Sequence, residues 1–109
     1  MTEPCDLSAV AARALIGAKK LSARELLDSC IRRMDAIDPA VNAMVARDDD
    51  KARQDALAAD EATARGDALG PLHGLPIGIK DLENTAGLRT TYGSALYRDF
   101  VPKEDQLIV

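Results

Sequence analysis

The chain has 109 residues, of which 47% are apolar and 29% are charged, and its net charge is -4. This composition is typical of a globular domain with its own core and excludes a disordered tail. Acidic residues outnumber basic ones 18 to 14, which argues against direct binding of nucleic acid, because phosphate recognition needs clustered Lys and Arg.

The sequence also argues against a membrane span, a disulfide and a metal. No apolar run approaches the roughly 20 residues that cross a bilayer, and the N-terminus lacks the features of a secretory signal, so we expect a cytoplasmic protein. Cys5 and Cys30 have no CxxC or Cys/His companion, which favours free thiols. The acidic run 48–50 lacks the spacing of a calcium loop, so we expect no metal.

Apolar periodicity predicts two helices in the first part of the chain. The first would begin at an Asp6 N-cap and end at Gly17, with its apolar stripe at Leu7, Val10, Ala11, Ala14 and Leu15. The second would begin at a capping box formed by Ser22 and Glu25 and end before Pro39. Its buried face would consist of Leu26, Leu27, Cys30, Ile31, Met34 and Ile37.

A strand and a third helix follow. The stretch VNAMVA, residues 41–46, has β-branched residues on one face, which is typical of a strand. The acidic run 48–50 would start an alanine-rich helix that ends at Gly66. Because this helix carries little apolar area, we expect it to cover a larger core.

The chain changes character after Gly66, where glycine and proline become frequent. Residues 76–80 predict a short strand in which Gly78 allows another backbone to approach closely, and Lys80 stands at its end. A lysine at a strand end usually extends its ammonium into water, where Asp81 could pair with it. The alternative is that the glycines exclude water from the ammonium, which would favour the neutral, basic form of the amine.

The segment GPLHGLPIGIKDLENTAGLRTTYGSALYRDFVPKEDQLIV, residues 70–109, resembles the first signature block of the amidase signature family. The specific part is the G-P-L-H-G-x-P-x-x-x-K-D core, followed in register by T-A-G, R-T-T and a G-S pair. The predicted helices and strand before it match the usual N-terminal order of that family. The resemblance implies an α/β fold, with a mixed sheet covered by helices, that is incomplete in this chain.

The resemblance implies one larger amidase domain of which residues 1–109 are the N-terminal segment. Residues 1–66 would be a helical layer with one short strand, and residues 67–109 would be the Gly/Pro-rich block that carries the catalytic lysine. The partners implied are the remainder of that domain and a small-molecule amide, and a homodimer is left open.

The resemblance also implies a function for Lys80. Members of the family hydrolyse or transfer amide groups with a Ser, cis-Ser, Lys triad and no cofactor, and the lysine of the K-D pair falls on Lys80. It would accept a proton that the cis-serine relays from the nucleophilic serine. Both serines should come from a Gly- and Ser-rich segment that these 109 residues do not contain, so we expect a truncated fragment that is inactive alone.

Two other functions are left open. Within the family, the chain could belong to one component of a glutamine-dependent tRNA amidotransferase, which passes ammonia to a carboxyl group on charged tRNA and needs partner subunits. Outside it, the chain could be a non-catalytic helical interaction module. The glycine-rich segment that ends in Lys80 argues against the module, which has no evident use for it.

Several polar residues of the same block have simpler structural explanations. We expect His73 to hydrogen-bond backbone within a turn, although it could act as a general base. Asp81 could orient Lys80, but bonds to backbone N–H groups of the following loop are favoured. The hydroxyl residues should close local turns rather than line a pocket, and Arg89 is only a weak candidate for a carboxylate clamp. The hydroxyl residues are Thr85, Thr90, Thr91 and Ser94.

Overall fold

The computed structural model describes residues 2–109, which form three α-helices and two short 3₁₀ helices. The α-helices are α1 (Ala9–Gly17), α2 (Ala23–Val41) and α3 (Asp49–Arg65). The 3₁₀ helices are Pro4–Asp6 and Ala95–Tyr97. None of these helices is both long enough and apolar enough to cross a membrane, a finding confined to residues 2–109.

The two predicted strands, and with them a mixed sheet, do not form within residues 2–109. The only β pairing in this range is an isolated antiparallel bridge between Thr85 and Leu88. Val41 ends α2 instead of starting a strand, and residues 76–80 have no regular structure. A strand is stable only when neighbouring strands satisfy its backbone groups, so an apolar, β-branched sequence cannot form one alone.

The first helix begins two residues later than predicted. Ser8 is the N-cap of α1, and its Oγ accepts a hydrogen bond from the Ala11 N–H at 3.1 Å. Asp6 lies in the preceding 3₁₀ helix, where its carboxylate accepts a 2.8 Å bond from Arg33 of α2. After Gly17, the turn is closed by Lys19 in a left-handed conformation with φ 60°. The Asp6 carboxylate also accepts from the Glu3 N–H at 3.2 Å, so Asp6 caps the 3₁₀ helix and connects it to α2.

Helix α2 begins as predicted and ends later. The Ser22 N–H donates to Glu25 Oε2 at 2.9 Å, and the Glu25 N–H donates to Ser22 Oγ at 3.0 Å, which confirms the capping box. The prediction that the helix stops before Pro39 is wrong, because α2 continues to Val41. In the last turn, proline removes a single backbone hydrogen bond, and Asn42, with φ 53°, ends the helix.

Helix α3 has the predicted boundaries and a well-defined end. Gly66 adopts φ 79°, its N–H donates to the Thr63 carbonyl, and the Asp67 N–H donates to the Ala62 carbonyl, each at 3.1 Å. These two bonds form a Schellman motif, in which a left-handed residue satisfies the last carbonyls of a helix. Glycine is favoured at this position because it has no Cβ to clash.

The structure divides into two compact units. The first comprises the chain up to Val41 together with Asp49–Pro76, and the second comprises Asn42–Asp48 together with Ile77–Val109. The core of the first unit has two parts, because α2 uses one face against α3 and another against α1. The α3 side contains Ala23, Leu27, Ile31 and Ala56, and the α1 side contains Ala12, Ile16 and Leu26.

The predicted buried face of α2 is largely correct, but Ile37 is 47% exposed. Beyond apolar packing, α3 also caps α2. The Asp60 carboxylate accepts hydrogen bonds from the Ala23 N–H at 2.7 Å and from the Arg24 N–H at 3.3 Å. These are orphan donors of the first helical turn, so the side chain of one helix satisfies the start of another.

The second unit contains all three aromatic residues of the chain. The ring centroid of Tyr92 lies 5.1 Å from that of Tyr97, edge to face, and 6.2 Å from that of Phe100, in a stacked arrangement. Both geometries are favourable for aromatic pairs. This cluster packs a unit that has no α-helix of its own.

Candidate active site

The first half of the signature block, residues 70–76, belongs to the first unit and forms consecutive tight turns. The His73 N–H donates to the Gly70 carbonyl at 3.2 Å, and the Leu75 N–H donates to the Leu72 carbonyl at 3.1 Å. Gly74 has φ 79°, and a Cβ there would lie 3.1 Å from Ile16 Cδ1. Packing against α1 and the turn conformation therefore both require glycine at this position.

His73 has the structural role that the sequence favours. Its Nε2 lies 3.0 Å from the Ala59 carbonyl oxygen and 3.0 Å from Thr63 Oγ1, both in α3. The imidazole is partly buried and attaches the turn to the helix. This geometry confirms the prediction of a backbone hydrogen bond and leaves the ring nitrogen engaged with protein groups.

Lys80 lies in the second unit, and its side chain is exposed. Its carbonyl accepts a 3.0 Å hydrogen bond from the Glu83 N–H, which forms a turn directly after the lysine. With the other residues that the structure describes, its ammonium makes neither a hydrogen bond nor an ion pair. Nothing in the described chain lies within 4 Å of a Cβ built on Gly78, so the close backbone approach predicted there is not made by these residues.

Asp81, next to Lys80, is bound by Thr91 through two hydrogen bonds. Its Oδ1 accepts from the Thr91 N–H at 2.7 Å, and its Oδ2 accepts from the Thr91 hydroxyl. These bonds favour the ionised carboxylate. The Thr91 hydroxyl, followed by the Thr91 N–H, lowers the pKa of Asp81 below its ordinary value of 3.8. The prediction that Asp81 bonds a backbone N–H of the following loop is confirmed.

The hydroxyl residues close turns, as predicted. Thr90 is 2% exposed, its hydroxyl donates to the Leu88 carbonyl at 3.2 Å, and it accepts from the Thr85 N–H at 3.4 Å. Ser94 Oγ accepts from the Leu96 N–H at 3.3 Å, at the start of the second 3₁₀ helix. These bonds shape the loop that contains Thr91.

Arg89 binds backbone rather than a carboxylate. Its Nη2 donates to the Val45 carbonyl at 2.6 Å, which attaches residues 42–48 to the loop of the second unit. The guanidinium fork thus connects two segments that are distant in sequence. The possibility of a carboxylate clamp at Arg89 has no support in this geometry.

Two further side chains of this unit make hydrogen bonds that the sequence reasoning did not predict. The Tyr92 hydroxyl donates to Asn84 Oδ1, and Asp105 Oδ1 accepts from the Ala86 N–H at 2.7 Å. Asn and Asp next to glycine-containing turns often bond nearby backbone or side chains. That general preference is the signal that could have identified them, but it does not name their partners.

All four serines of the chain serve structural hydrogen bonds. Ser8 and Ser22 cap helices, Ser94 caps a 3₁₀ helix, and Ser29, which is fully buried, accepts from the Cys5 N–H at 3.0 Å. Each hydroxyl oxygen is thus engaged with a backbone N–H. Residues 2–109 therefore supply a candidate base without a candidate serine nucleophile.

The remaining titratable groups form no metal site within the described chain. No three His, Cys, Asp or Glu residues between positions 2 and 109 are grouped closely enough to hold an ion. Cys5 and Cys30 are both free thiols. Burial, followed by the neighbouring Cys5, raises the pKa of the Cys30 thiol, which favours its protonated form.

Comparison with known proteins finds one family and relatives of the same name that match most of the sequence. The family model described as Amidase matches residues 25–109. A glutamyl-tRNA(Gln) amidotransferase subunit from Synechococcus sp. (strain CC9605) is 41% identical over 103 residues, which are 94% of this chain and 21% of the relative. The protein of the same name from Chloroflexus aurantiacus (strain ATCC 29366 / DSM 635 / J-10-fl) is 38% identical over 109 residues, covering 100% of this chain and 22% of the relative. The chain thus spans about a fifth of the length of these relatives.

Solved structures agree with the sequence comparison. One, from a vestigial protein complex that reveals the evolutionary origins of an s-triazine catabolic enzyme, has a TM-score of 0.86 and 32% identity, covering 91% of this chain and 22% of that one. A bacterial aryl acylamidase of the amidase signature enzymes has a TM-score of 0.80 and 32% identity, covering 85% of this chain and 19% of that one. The chain therefore belongs to the amidase signature family and corresponds to an N-terminal segment of its members.

Proposed function

We propose that this chain is part of an amidase in which Lys80 is the catalytic base. The observation that carries the proposal is the signature block, whose K-D pair lies within the part of the chain that matches the Amidase family. The exposed ammonium of Lys80 supports it, because residues 2–109 leave this group free to meet other catalytic residues.

In the proposed reaction, a serine hydroxyl attacks the amide carbonyl and its proton passes through a cis-serine to the Lys80 amine. The proton then leaves with the amine product, and water hydrolyses the acyl-serine to a carboxylate. Both serines and the N–H groups that stabilise the oxyanion belong to sequence beyond these 109 residues. No metal or organic cofactor has a role in this scheme.

We further propose that residues 76–80 become a strand in the complete domain. The relatives are about five times longer than this chain, so most of their sequence is available to pair with this segment. Pairing would satisfy the backbone groups that are unpaired here and would bring another backbone close to Gly78. The N-terminal helical layer and the lysine block would then belong to one mixed α/β domain.

The proposal is tested by Lys80→Ala in a protein that contains this chain and the remaining length of its relatives. Loss of a general base lowers turnover by about 10²- to 10⁴-fold, which is measured as ammonia or amine release from a panel of carboxamides. Lys103→Ala is the matched control, because Lys103 is an exposed lysine of the same unit. Unchanged turnover in Lys80→Ala would contradict the role proposed for Lys80.

A second function is favoured by the names of the relatives. The Synechococcus and Chloroflexus proteins are both subunits of a glutamyl-tRNA(Gln) amidotransferase. By analogy, this protein could release ammonia from glutamine and pass it on within a complex of several subunits. Glutamine-dependent ammonia release that increases when the partner subunits are added would favour this function, whereas full activity of the isolated protein on simple amides would favour the amidase.

A further inference from the structure

The segment directly after Lys80 is linked to a second segment of the same unit by several hydrogen bonds. Three side-chain links join residues 81–85 to residues 90–92. They are Asp81 to Thr91, Asn84 to Tyr92 and Thr85 to Thr90. The first link involves Asp81, the residue next to Lys80. It therefore restrains the Lys80 backbone without contacting the Lys80 side chain.

We propose that Asp81 is a positioning residue, which holds Lys80 in its reactive place by binding Thr91 through two hydrogen bonds. The inference rests on the proposed function of Lys80. Asp81 does not contact the lysine ammonium in this scheme. It fixes the backbone on the C-terminal side of Lys80, and the Glu83 N–H bond to the Lys80 carbonyl at 3.0 Å fixes the peptide that joins them.

Thr91 is a suitable anchor because its own segment is held on both sides. The preceding Thr90 is 2% exposed, and its N–H donates to the Phe100 carbonyl at 3.0 Å. The Thr91 carbonyl accepts from the Ser94 N–H at 2.9 Å, and its hydroxyl oxygen also accepts from the Gly93 N–H at 3.3 Å. Because these bonds restrain Thr91, they also restrain the Asp81 carboxylate that binds it.

The Lys80 ammonium is not held by a hydrogen bond or an ion pair within the described part of the chain. The position of the Lys80 backbone therefore sets the range of positions that its amine can occupy. Catalysis is sensitive to this, because displacement of a reacting group by about 1 Å can reduce the rate by about 10²-fold. A carboxylate also suits the anchor better than an amide, since it offers two acceptors to the two Thr91 donors. Asparagine keeps one acceptor for the Thr91 N–H, but its amide N–H would require the Thr91 hydroxyl to accept instead of donate, and the charge of the acceptor is lost.

The first test compares Thr91→Val with Thr91→Ser in the protein that contains this chain and the rest of its relatives' length. Valine has a similar shape but no hydroxyl, whereas serine keeps the hydroxyl. We expect Thr91→Val to lower kcat about tenfold with KM nearly unchanged, and Thr91→Ser to remain within about twofold of wild type. Equal effects of both substitutions, or a change confined to KM, would overturn the inference.

The second test asks whether the anchor acts through Lys80. A double-mutant cycle combines Thr91→Val with Lys80→Ala, and the residual rate of Lys80→Ala is measured with and without the second substitution. We expect no further loss in the Lys80→Ala background, because the lysine is then absent. A further tenfold loss would show a general structural effect and overturn the inference. If Thr91→Val does not fold, Asp81→Asn replaces it in both tests, with Asp81→Glu as its conservative partner.

The outcomes separate the inference from the proposed function. An active Lys80→Ala variant would reject both. An inactive Lys80→Ala variant together with unimpaired Thr91→Val and Asp81→Asn variants would reject the positioning role alone. An inactive Lys80→Ala variant together with the tenfold effect and its rescue by serine would support both.

Discussion

Gly74 in the signature block allows a sharp prediction about the first unit. We expect Gly74→Ala to destabilise it, because the new Cβ would have to adopt φ 79° and would lie 3.1 Å from Ile16 Cδ1 and 3.3 Å from Ile16 Cγ2. Ile16 is 1% exposed and belongs to the core between α1 and α2. The isoleucine therefore has little space into which it can move.

The expected loss follows from two costs. A left-handed conformation costs an L-residue about 1–2 kcal/mol, and overpacking a filled core costs about 1–3 kcal/mol. Because the turn can shift slightly, we expect a combined loss of about 2–4 kcal/mol in the free energy of unfolding. That is a large part of the roughly 5–15 kcal/mol that stabilises a typical domain.

The assay is urea unfolding followed by far-UV circular dichroism, with Gly70→Ala as the matched control. Gly70 begins the preceding turn of the same segment, but nothing lies within 4 Å of its added Cβ and its φ is not left-handed. We expect this control to change the free energy of unfolding by less than about 1 kcal/mol. Equal destabilisation by the two substitutions would refute the argument from packing and conformation.

A second variant separates the two costs. Ile16→Val removes Cδ1, the atom nearest to the new Cβ, and retains Cγ2. The double variant with Gly74→Ala should be at least about 0.5 kcal/mol more stable than the sum of the single losses predicts. Strict additivity would mean that the left-handed conformation alone accounts for the effect of Gly74→Ala.

Two further predictions concern carboxylates that bind backbone N–H groups. Asp60→Ala should lower the free energy of unfolding in urea by about 1–2 kcal/mol, because the two N–H groups at the start of α2 lose their acceptor. The control Glu61→Ala, at the exposed neighbouring position, should have little effect. Similar losses for both variants would contradict the capping role of Asp60. For Asp81, a depressed pKa means that its contribution to stability is present above the ordinary value of 3.8 and is lost as the pH falls through the lower folded-state value. The Thr91 amide proton resonance should therefore shift with pH below 3.8, because its acceptor Asp81 titrates there and the nearby Arg89 charge also lowers the pKa of Asp81. This titration should vanish in Asp81→Asn. An unchanged titration in that variant would assign it to another group.

Local chemistry explains why the helices were largely predictable. A capping box needs only residues three apart, and a Schellman end at Gly66 needs only the last turn and the glycine after it. The same reasoning applies to Asp81, whose short side chain and following loop favoured a backbone N–H partner. It fails at Pro39, because the cost of proline depends on how much helix follows it.

The sequence by itself determined the three helical segments, the turn-forming character of residues 70–76 and the block that identifies the amidase signature family. Only the tertiary structure decided which of the two glycines in residues 70–76 is packed against Ile16, and that Asp60 caps a helix that begins more than 30 residues earlier in the chain. It also decided that Val41 ends a helix and that residues 42–46 are irregular rather than a strand. The physical reason is that turns and caps are satisfied by neighbours in sequence, whereas close packing and strand pairing depend on partners that the chain brings together only when it folds.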